Sequence, residues 1–293
     1  MPEWSPDIVV DETLARRLLA EQFPELELDS LSPAGEGWDN TAWLVDEEWV
    51  FRFPRREIAL DGVGRELRVL PLLAPQLPLP VPEPVFVGAA GPAFPWPFFG
   101  AAVIPGRELA EAELDDRGRA ALARPLGAFL RALHAAEVEV DLPVDPIRRA
   151  EMGFRVQHAR DRLEELGVAV PGAEDIFSAA LELPPPERAT LVHGDLHLRH
   201  AFVEDGRLSG VIDWGDVCRA DPAIDLILVW CALPPAARRD FLYEYGPVSE
   251  AGLLRARVLS LFLCAVLATH ARHEGLPAVE RESLAGLQRT LLD

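Results

Sequence analysis

Two aspartates lie in short polar segments on either side of a predicted β-hairpin. The first, Asp195, belongs to the run Leu-Val-His-Gly-Asp-Leu-His at residues 191–197. The second, Asp213, follows Val-Ile and precedes Trp-Gly-Asp. Between them, Asp205-Gly206 separates two apolar runs, which is a strong signal for a two-residue hairpin turn. Because an antiparallel hairpin brings its open ends together, both carboxylates are expected at the same end.

This layout suits phosphoryl transfer. Asp195 would accept or orient the proton of a substrate hydroxyl, and Asp213 would hold the metal ion that bridges the phosphates. His193 would lie behind the loop and brace it. The alternative is a pair of solvated turn aspartates beside a core histidine. The occurrence of these signals in order and at short spacing favours the phosphoryl-transfer interpretation.

Lysine is absent from the chain, and all 28 basic residues are arginine. Asparagine occurs once, at Asn40. This composition is typical of a genome-wide preference for GC-rich codons. Any motif that normally uses lysine or asparagine must therefore appear in an altered form. The Gly-rich phosphate loop that ends in lysine is excluded.

The formal net charge is −20, which argues against nucleic acid or an anionic membrane as a partner, because both require a basic surface. A cationic substrate would be attracted, although an acidic surface also serves solubility alone. The longest apolar run, residues 258–268, is too short to span a bilayer and predicts a buried helix. Residues 1–4 lack the basic segment of a signal peptide. Three widely spaced cysteines indicate neither a disulfide framework nor a zinc site, so a cytoplasmic protein is expected.

Strands dominate the first third of the chain, and helices dominate the rest. Residues 41–45 and 49–53 predict a strand pair, with further strands at 85–87 and 100–104. Helical periodicity predicts helices at residues 11–23, 64–73, 116–136 with a kink at Pro125, 152–166, 222–232, 235–245, 249–274 and 277–292. We therefore predict an α+β, bilobal fold, in which residues 1–104 form a small antiparallel-sheet lobe and residues 105–293 a larger, mostly helical lobe.

The central segment resembles the aminoglycoside phosphotransferase family, whose fold is like that of protein kinases. The family pattern His-Gly-Asp-Leu-His-x-x-Asn matches residues 193–197, and the family's Asp-Trp-Gly metal loop matches residues 213–215. Residues 220–226 are similar to the family's Gly-Asp-Pro-x-x-Asp-Leu. The resemblance extends over essentially the whole chain. It implies a protein-kinase-like fold, Mg²⁺ as cofactor, and ATP or GTP as phosphate donor.

The resemblance also implies roles for single residues. Asp195 would be the catalytic base or orienting carboxylate, and Asp213 the main Mg²⁺ ligand. Arg52 stands where the family's basic strand residue contacts the nucleotide phosphates, and Glu66 stands where a helix glutamate pairs with that residue. The nucleotide would also contact Val50 and the backbone of Ala102 and Ile104, and residues 35–40 would cover the phosphates.

Five acidic residues could line a cleft for a cationic substrate, namely Asp216, Asp221, Asp225, Asp240 and Glu244, and of these Asp216, Asp221 and Glu244 are the candidates for binding it. Asp221 is equally interpretable as a helix cap. Asp225, four residues later, is interpretable as a brace for the catalytic loop.

Two positions depart from the family pattern. His200 stands in place of the metal-binding asparagine, and Arg52 stands in place of the lysine. Imidazole suits softer ions than Mg²⁺, so Mn²⁺ is a second candidate metal. Arginine keeps the positive charge, but its guanidinium is planar and forked. Either change could alter metal preference or mark an inactive relative.

The resemblance thus implies a phosphotransferase, monomeric or homodimeric, that moves the γ-phosphate of ATP or GTP to a hydroxyl of an aminoglycoside- or macrolide-like compound. An endogenous acceptor such as choline, homoserine or a sugar-derived metabolite is an alternative. The departures at His200 and Arg52 also leave open a non-catalytic protein that only binds a nucleotide or ligand.

Overall fold

The computed structural model describes residues 6–37, 39–186 and 189–293, without the side chain of Glu36. The chain forms two compact units. The first comprises Met1–Pro75, Val81–Ile104 and Asp213–Asp216, and the second comprises Gln76–Pro80, Pro105–Ile212 and Val217–Asp293. The predicted lobes, residues 1–104 and 105–293, stay a prediction. Residues 1–4, on which the signal-peptide expectation rests, lie outside the described residues. Trp38, which belongs to the predicted phosphate-covering loop, also lies outside them.

A five-stranded antiparallel sheet forms the centre of the first unit. Its strands are β1 (Leu31–Glu36), β2 (Asn40–Val45), β3 (Trp49–Pro54), β4 (Phe86–Gly88) and β5 (Phe98–Ala102), in the order β1-β2-β3-β5-β4. Thr41 lies opposite Phe53, so the predicted pairing of residues 41–45 with 49–53 is confirmed. Strand β1 was not predicted, because Pro33 and Gly35 interrupt its apolar alternation and are tolerated at this edge.

Alternation along β3 separates a core face from a polar face. Phe51 and Phe53 are completely buried, and the Phe53 ring stacks on that of Phe98 with 4.6 Å between centroids. Arg52, between them, points to the opposite face because successive strand residues alternate. Helix α1 (Glu12–Gln22) closes the core side and begins at Asp11, whose carboxylate caps the Leu14 N–H at 2.8 Å.

The second unit is mostly helical. Its helices are α3 (Asp116–Ala121), α4 (Ala123–Ala135), α5 (Met152–Leu166), α6 (Ala173–Leu181), α7 (Ile227–Cys231), α8 (Pro235–Tyr245), α9 (Glu250–Glu274) and α10 (Pro277–Leu291), after α2 (Leu60–Leu73) of the first unit. Helix α9 is central and packs against α5, α7 and α10. Short strands form two small sheets, β7 (Thr190–Val192) with β10 (Cys218–Ala220), and β6 (Arg107–Glu108) with β8 (Ala201–Glu204) and β9 (Arg207–Val211).

Two predicted helices are interrupted. The helix predicted at residues 116–136 breaks at Leu122, three residues before Pro125, because proline lacks an N–H and its ring excludes the carbonyl of Ala121 from regular bonding. The helix predicted at 222–232 is a 3-10 turn, Pro222–Ile224, followed by α7. This second interruption leaves Asp225 completely buried between the two segments.

The predicted β8–β9 hairpin is present. Ala201 pairs with Val211, and the turn residues Asp205 and Gly206 have φ angles of 48° and 75°, as a primed two-residue turn requires. Asp195 belongs to the second unit and Asp213 to the first, so the predicted spacing of their carboxylates remains a prediction.

Among residues 6–37, 39–186 and 189–293, one helix, α9, is long and apolar enough by length and composition to cross a bilayer. The buried share of its most apolar window is 61%, and the predicted burial of residues 258–268 agrees with that value. A helix in a protein core passes the same test, so α9 is weak support for a membrane segment.

Candidate functional site

In the first unit, one arginine joins two carboxylates that are remote in sequence. The Arg52 guanidinium, on the polar face of β3, donates from Nη1 to Glu66 Oε1 at 2.5 Å. Its other terminal nitrogen, Nη2, donates to Asp213 Oδ1 at 2.9 Å. The three residues predicted to bind phosphate and metal in this unit are therefore in direct contact.

Helix α2 holds the loop that carries Asp213. Glu66 is 1% exposed, and its Oε1 also accepts the Trp214 N–H at 3.1 Å. Arg65, its neighbour in α2, donates from Nε to the Gly215 carbonyl oxygen at 2.8 Å. Two adjacent helix residues thus bind the backbone on the C-terminal side of Asp213. These bonds fix the position of the Asp213 backbone.

Burial and charge oppose one another in this cluster. Burial lowers the pKa of the Arg52 guanidinium, but the carboxylates of Glu66 and Asp213 outweigh it and hold that pKa above its ordinary value. Burial raises the pKa of the Glu66 carboxyl, and the charge of Asp213 adds to the rise, while Arg52 and the Trp214 N–H oppose it. Arg52 is therefore a permanent cation that the two acids share.

Asp213 has the chemistry of a ligand for a hard cation. It supplies carboxylate oxygens, which Mg²⁺ and Mn²⁺ accept, and its side chain is 45% exposed. Its backbone is left-handed, with φ of 65°, so the side chain leaves the chain at an unusual angle immediately after Ile212. The residue thus fits a metal, and one of its two oxygens already accepts a bond from Arg52.

In the second unit, Asp225 braces the loop between β7 and β8, which carries Asp195. Its two carboxylate oxygens accept the N–H groups of His193 and Gly194 at 2.7 and 3.0 Å. His134 Nε2 lies 3.1 Å from Asp225 Oδ2, and the Tyr245 hydroxyl lies 2.7 Å from His134 Nδ1. These contacts support the bracing role considered for Asp225 from the sequence, whereas nothing in the spacing of His134 or Tyr245 indicated that they take part.

The charge state of Asp225 follows from these contacts. Burial raises the pKa of its carboxyl, but the hydrogen bond and charge of His134 and the charge and N–H of His193 outweigh burial. The net pKa lies below the ordinary value. Asp225 is therefore a buried anion whose charged form is stabilised by its contacts with His134 and His193.

His193 is completely buried, and both of its ring nitrogens face the backbone. Nδ1 accepts the Asp195 N–H at 3.2 Å, so Nε2 is the nitrogen that donates to the Ile212 carbonyl, at 2.9 Å. The ring thus ties the loop that carries Asp195 to the end of the β8–β9 hairpin. This geometry supports the bracing role predicted for His193.

Asp195 lies beside two histidines whose rings contact each other. The rings of His197 and His200 have centroids 3.7 Å apart, with a tilt of 31°. Asp195 Oδ2 lies 3.6 Å from His197 Nε2 and 3.7 Å from His200 Nδ1. His197 was not singled out as a ligand, and its place in the His-Gly-Asp-Leu-His motif was the available signal.

Hydrogen bonds to the backbone decide which of these histidines suits a metal. His200 Nδ1 donates to the Asp195 carbonyl at 2.8 Å, which makes Nε2 the lone-pair nitrogen of the neutral ring. His197 Nδ1 accepts the Arg199 N–H at 3.2 Å, so its Nε2 carries the proton. Potential ligand atoms of Asp195, His197 and His200 all lie within 4.8 Å of one another. Of the two imidazoles, His200 fits a metal and His197 does so only if its bond to Arg199 is lost.

The remaining predicted residues divide into two groups. Val50 lies opposite Ala101 in the β3–β5 pairing, and Ala102 lies opposite Trp49, so these residues lie together on two neighbouring inner strands of the sheet. Ile104, two residues after Ala102, is buried. Their contacts with a nucleotide remain a prediction.

The predicted substrate carboxylates have other contacts. Asp221 is 8% exposed, caps the Ala223 N–H at 2.9 Å and lies 3.7 Å from Arg255 Nη1, as the helix-cap alternative requires. Glu244 forms a 2.8 Å ion pair with Arg131. Asp216 is half-buried, in the first unit. A substrate role for these three residues remains a prediction, and it is weakest for the buried Asp221.

Known proteins resemble this chain over much of its length. The phosphotransferase enzyme family matches residues 30–259. Viomycin phosphotransferase of Streptomyces vinaceus is 31% identical over 197 residues, which cover 64% of this chain and 68% of that protein. A shorter match, 43% identical over 44 residues, covers 14% of the uncharacterized protein YcbJ of Bacillus subtilis (strain 168).

Solved structures extend the similarity over nearly the full length. The macrolide 2'-phosphotransferase MphH of Brachybacterium faecium aligns with a TM-score of 0.64 and 26% identity, over 95% of this chain and 98% of that one. The GDP and kanamycin complex of APH(2")-IIia aligns with a TM-score of 0.71 and 24% identity, over 94% and 97%. These neighbours confirm the predicted protein-kinase-like fold. This chain therefore belongs to the phosphotransferase enzyme family and is a small-molecule phosphotransferase.

Proposed function

We propose that this protein transfers the γ-phosphate of ATP or GTP to a hydroxyl group of an antibiotic of the aminoglycoside, macrolide or viomycin type. The observation that carries the proposal is the contact of one arginine, Arg52, with both Glu66 and Asp213. A cation supported by a buried acid, beside an exposed carboxylate, is what binding of a metal–nucleotide complex requires. The names of the relatives suggest the acceptor class, and the net charge of −20 favours a cationic acceptor.

Each residue has a defined task in this proposal. Arg52 binds the nucleotide phosphates while Glu66 keeps it in place. Asp213 and His200 are the residues that would hold Mg²⁺ or Mn²⁺, His200 through the lone pair on Nε2. The bound metal ion would neutralise charge on the phosphates. Val50 and the backbone of Ala102 and Ile104 contact the base.

Asp195 acts on the acceptor. Its carboxylate orients the acceptor hydroxyl and takes the proton as the hydroxyl oxygen forms a bond to the γ-phosphorus. The bond between that phosphorus and the oxygen bridging to the β-phosphate breaks, and the nucleoside diphosphate leaves. His193 and Asp225 keep the loop of Asp195 in position through their backbone bonds. A nucleotide donor is consistent with the predicted cytoplasmic location.

The test is phosphate transfer by the purified protein from γ-labelled ATP or GTP to a panel of acceptors. The panel contains viomycin, kanamycin, a macrolide, choline and homoserine. Transfer to an antibiotic, lost in Asp195→Asn and retained in Asp141→Asn, is the expected result. Asp141 is an exposed aspartate of the same unit and serves as the matched control.

The panel also separates the alternatives. Transfer only to choline or homoserine would replace the antibiotic by an endogenous metabolite. Nucleotide binding that does not depend on metal, together with no transfer to any acceptor, would favour a non-catalytic binding protein. This last candidate is motivated by His200, because an imidazole is a weaker Mg²⁺ ligand than an amide oxygen.

A further inference from the structure

The two acids that share Arg52 differ in exposure. Glu66 is 1% exposed, whereas the Asp213 side chain is 45% exposed. Each acid accepts a hydrogen bond from a different terminal nitrogen of the Arg52 guanidinium, Glu66 from Nη1 and Asp213 from Nη2. The buried acid has no access to water and depends on Arg52 and the Trp214 N–H. The exposed acid can exchange Arg52 for solvent or for a metal ion at much lower cost.

The contact with Arg52 works against binding of a metal by Asp213. Asp213 Oδ1 already accepts a hydrogen bond from Nη2, and the guanidinium brings a full positive charge within bonding distance of the same carboxylate. A divalent cation at Asp213 would therefore lie close to a second cation that is only 14% exposed and poorly screened by water.

A phosphate group removes this obstacle. Guanidinium nitrogens bind phosphate oxygens well, and phosphate carries more charge than a carboxylate. If a phosphate takes Nη2, Arg52 remains anchored through Nη1 to Glu66, and Asp213 becomes available to the metal. The buried ion pair with Glu66 thus holds Arg52 in place while Nη2 exchanges Asp213 for a phosphate oxygen.

We propose that Arg52 closes the metal site at Asp213 in the nucleotide-free protein and that nucleotide phosphates open it. Arg52 is then a positioning residue for the metal, acting through Asp213, in addition to its contact with phosphate. The phosphate step rests on the proposed function, whereas closure of the metal site is a property of the protein alone. The protein therefore binds metal and nucleotide together and binds the metal weakly by itself.

Closure of the metal site requires an arginine at position 52. A lysine has one ammonium nitrogen in place of two separate terminal nitrogens. In the Arg52→Lys variant, that nitrogen would stay with the buried Glu66, since an unpaired buried carboxylate is costly, and Asp213 would be released. The charge of the cluster is unchanged, so any gain in metal affinity would come from the lost contact.

The test measures Mn²⁺ binding without nucleotide, from the electron paramagnetic resonance signal of free Mn²⁺. The component that disappears in Asp213→Asn is assigned to this site. We expect Arg52→Lys to tighten that component about tenfold, which corresponds to about 1.4 kcal/mol. Circular dichroism and thermal unfolding establish that each variant is folded.

Arg65→Lys is the matched control. Arg65 holds the same loop through the Gly215 carbonyl, so the same substitution loosens the loop without touching the carboxylate. Its Mn²⁺ affinity should equal that of the wild type. Equal affinity of Arg52→Lys and wild type, or equal tightening in both lysine variants, would overturn the proposal.

A second measurement uses Asp213→Asn and so does not depend on folding of the Arg52 variant. Because Asp213 competes with phosphate for Nη2, Asp213→Asn should bind ADP several-fold more tightly than the wild type in the presence of EDTA. Asp61→Asn, which removes an exposed charge from the same unit, should not. Unchanged ADP affinity in Asp213→Asn contradicts closure by Arg52. Failure of every form to bind ADP would instead count against the proposed function, and the Mn²⁺ result would still decide the closure.

Discussion

The backbone N–H of Trp214 donates to the carboxylate of Glu66 at 3.1 Å, although the two residues are 148 positions apart in the chain. The same oxygen accepts Nη1 of Arg52. Glu66 therefore connects strand β3, which carries Arg52, to the loop that carries Asp213. Its position decides the geometry of both.

Glu66→Ala should lower the free energy of unfolding by about 3 kcal/mol, because it leaves the buried Arg52 guanidinium with one acid fewer and the Trp214 N–H without this acceptor. Metal–nucleotide binding should weaken as well. Urea unfolding and isothermal titration calorimetry measure the two effects. Glu57→Ala, at an exposed position in the same unit, is the control and should change neither. A stable Glu66→Ala protein with normal nucleotide affinity would contradict this role.

Asp225→Asn should destabilise the second unit by about 3 kcal/mol at neutral pH. An asparagine offers one acceptor oxygen, and its amide N–H group would face the donors His193 N–H and Gly194 N–H. Chemical denaturation near pH 7 measures the loss. Asp240→Asn replaces an exposed carboxylate and should cost less than about 0.5 kcal/mol.

The loss in Asp225→Asn should depend on pH. The folded-state pKa of Asp225 is depressed below its ordinary value of 3.8, so the carboxylate contributes stability that is fully present above that value. The contribution disappears as the pH falls from 3.8 through the folded-state pKa. The difference in unfolding free energy between wild type and Asp225→Asn should therefore shrink below pH 4. A difference that grows on acidification would show that the sign is wrong.

The elements and motifs that follow local rules were predictable from sequence. The strand pair β2–β3, the Asp205-Gly206 turn and the Gly167 end of α5, with φ of 67°, each follow from residues close in the chain. The helix interruption was predicted at Pro125 but lies at Leu122. Proline disrupts the hydrogen bond to a carbonyl one turn before it, so the helix breaks upstream of the proline itself.

What the sequence could not supply are contacts between distant residues. The chain Tyr245–His134–Asp225 joins three separate elements, and no spacing rule connects a helix histidine with a buried aspartate 91 residues later. The tautomers of His197 and His200 are likewise set by backbone groups that only the folded loop brings close. The motif predicted which histidine lies at the metal position, and the fold decided which ring nitrogen has the lone pair.

Asp195→Asn and Asp213→Asn should impair the protein in different ways. Asp195→Asn removes the proton acceptor, so kcat should fall by about 10²-fold or more while metal–nucleotide affinity stays near that of the wild type. Asp213→Asn should weaken binding of the metal–nucleotide complex itself. Steady-state kinetics and calorimetry with a non-hydrolysable nucleotide separate the two. Equal, mild effects of both changes would contradict the assigned roles.

His200 should set the metal preference. Its Nδ1 donates to the Asp195 carbonyl, which leaves Nε2 as the lone-pair nitrogen, and imidazole nitrogen suits Mn²⁺ better than Mg²⁺. His200→Asn keeps an N–H donor for that carbonyl and replaces the nitrogen ligand by an amide oxygen. The ratio of activity with Mn²⁺ to activity with Mg²⁺ should therefore fall in His200→Asn.

The pH profile gives an independent measure of the same role. A protonated imidazole has no lone pair for a metal, so part of the acid-side loss of wild-type activity should disappear in His200→Asn. His273→Asn, on the exposed side of α9, should retain the wild-type metal ratio and pH profile. If His200→Asn also leaves both unchanged, His200 is not a ligand and its function is to hold the Asp195 carbonyl. If the wild type is inactive with every metal and His200→Asn restores transfer, the histidine has inactivated a phosphotransferase, and nucleotide binding alone is the property that remains.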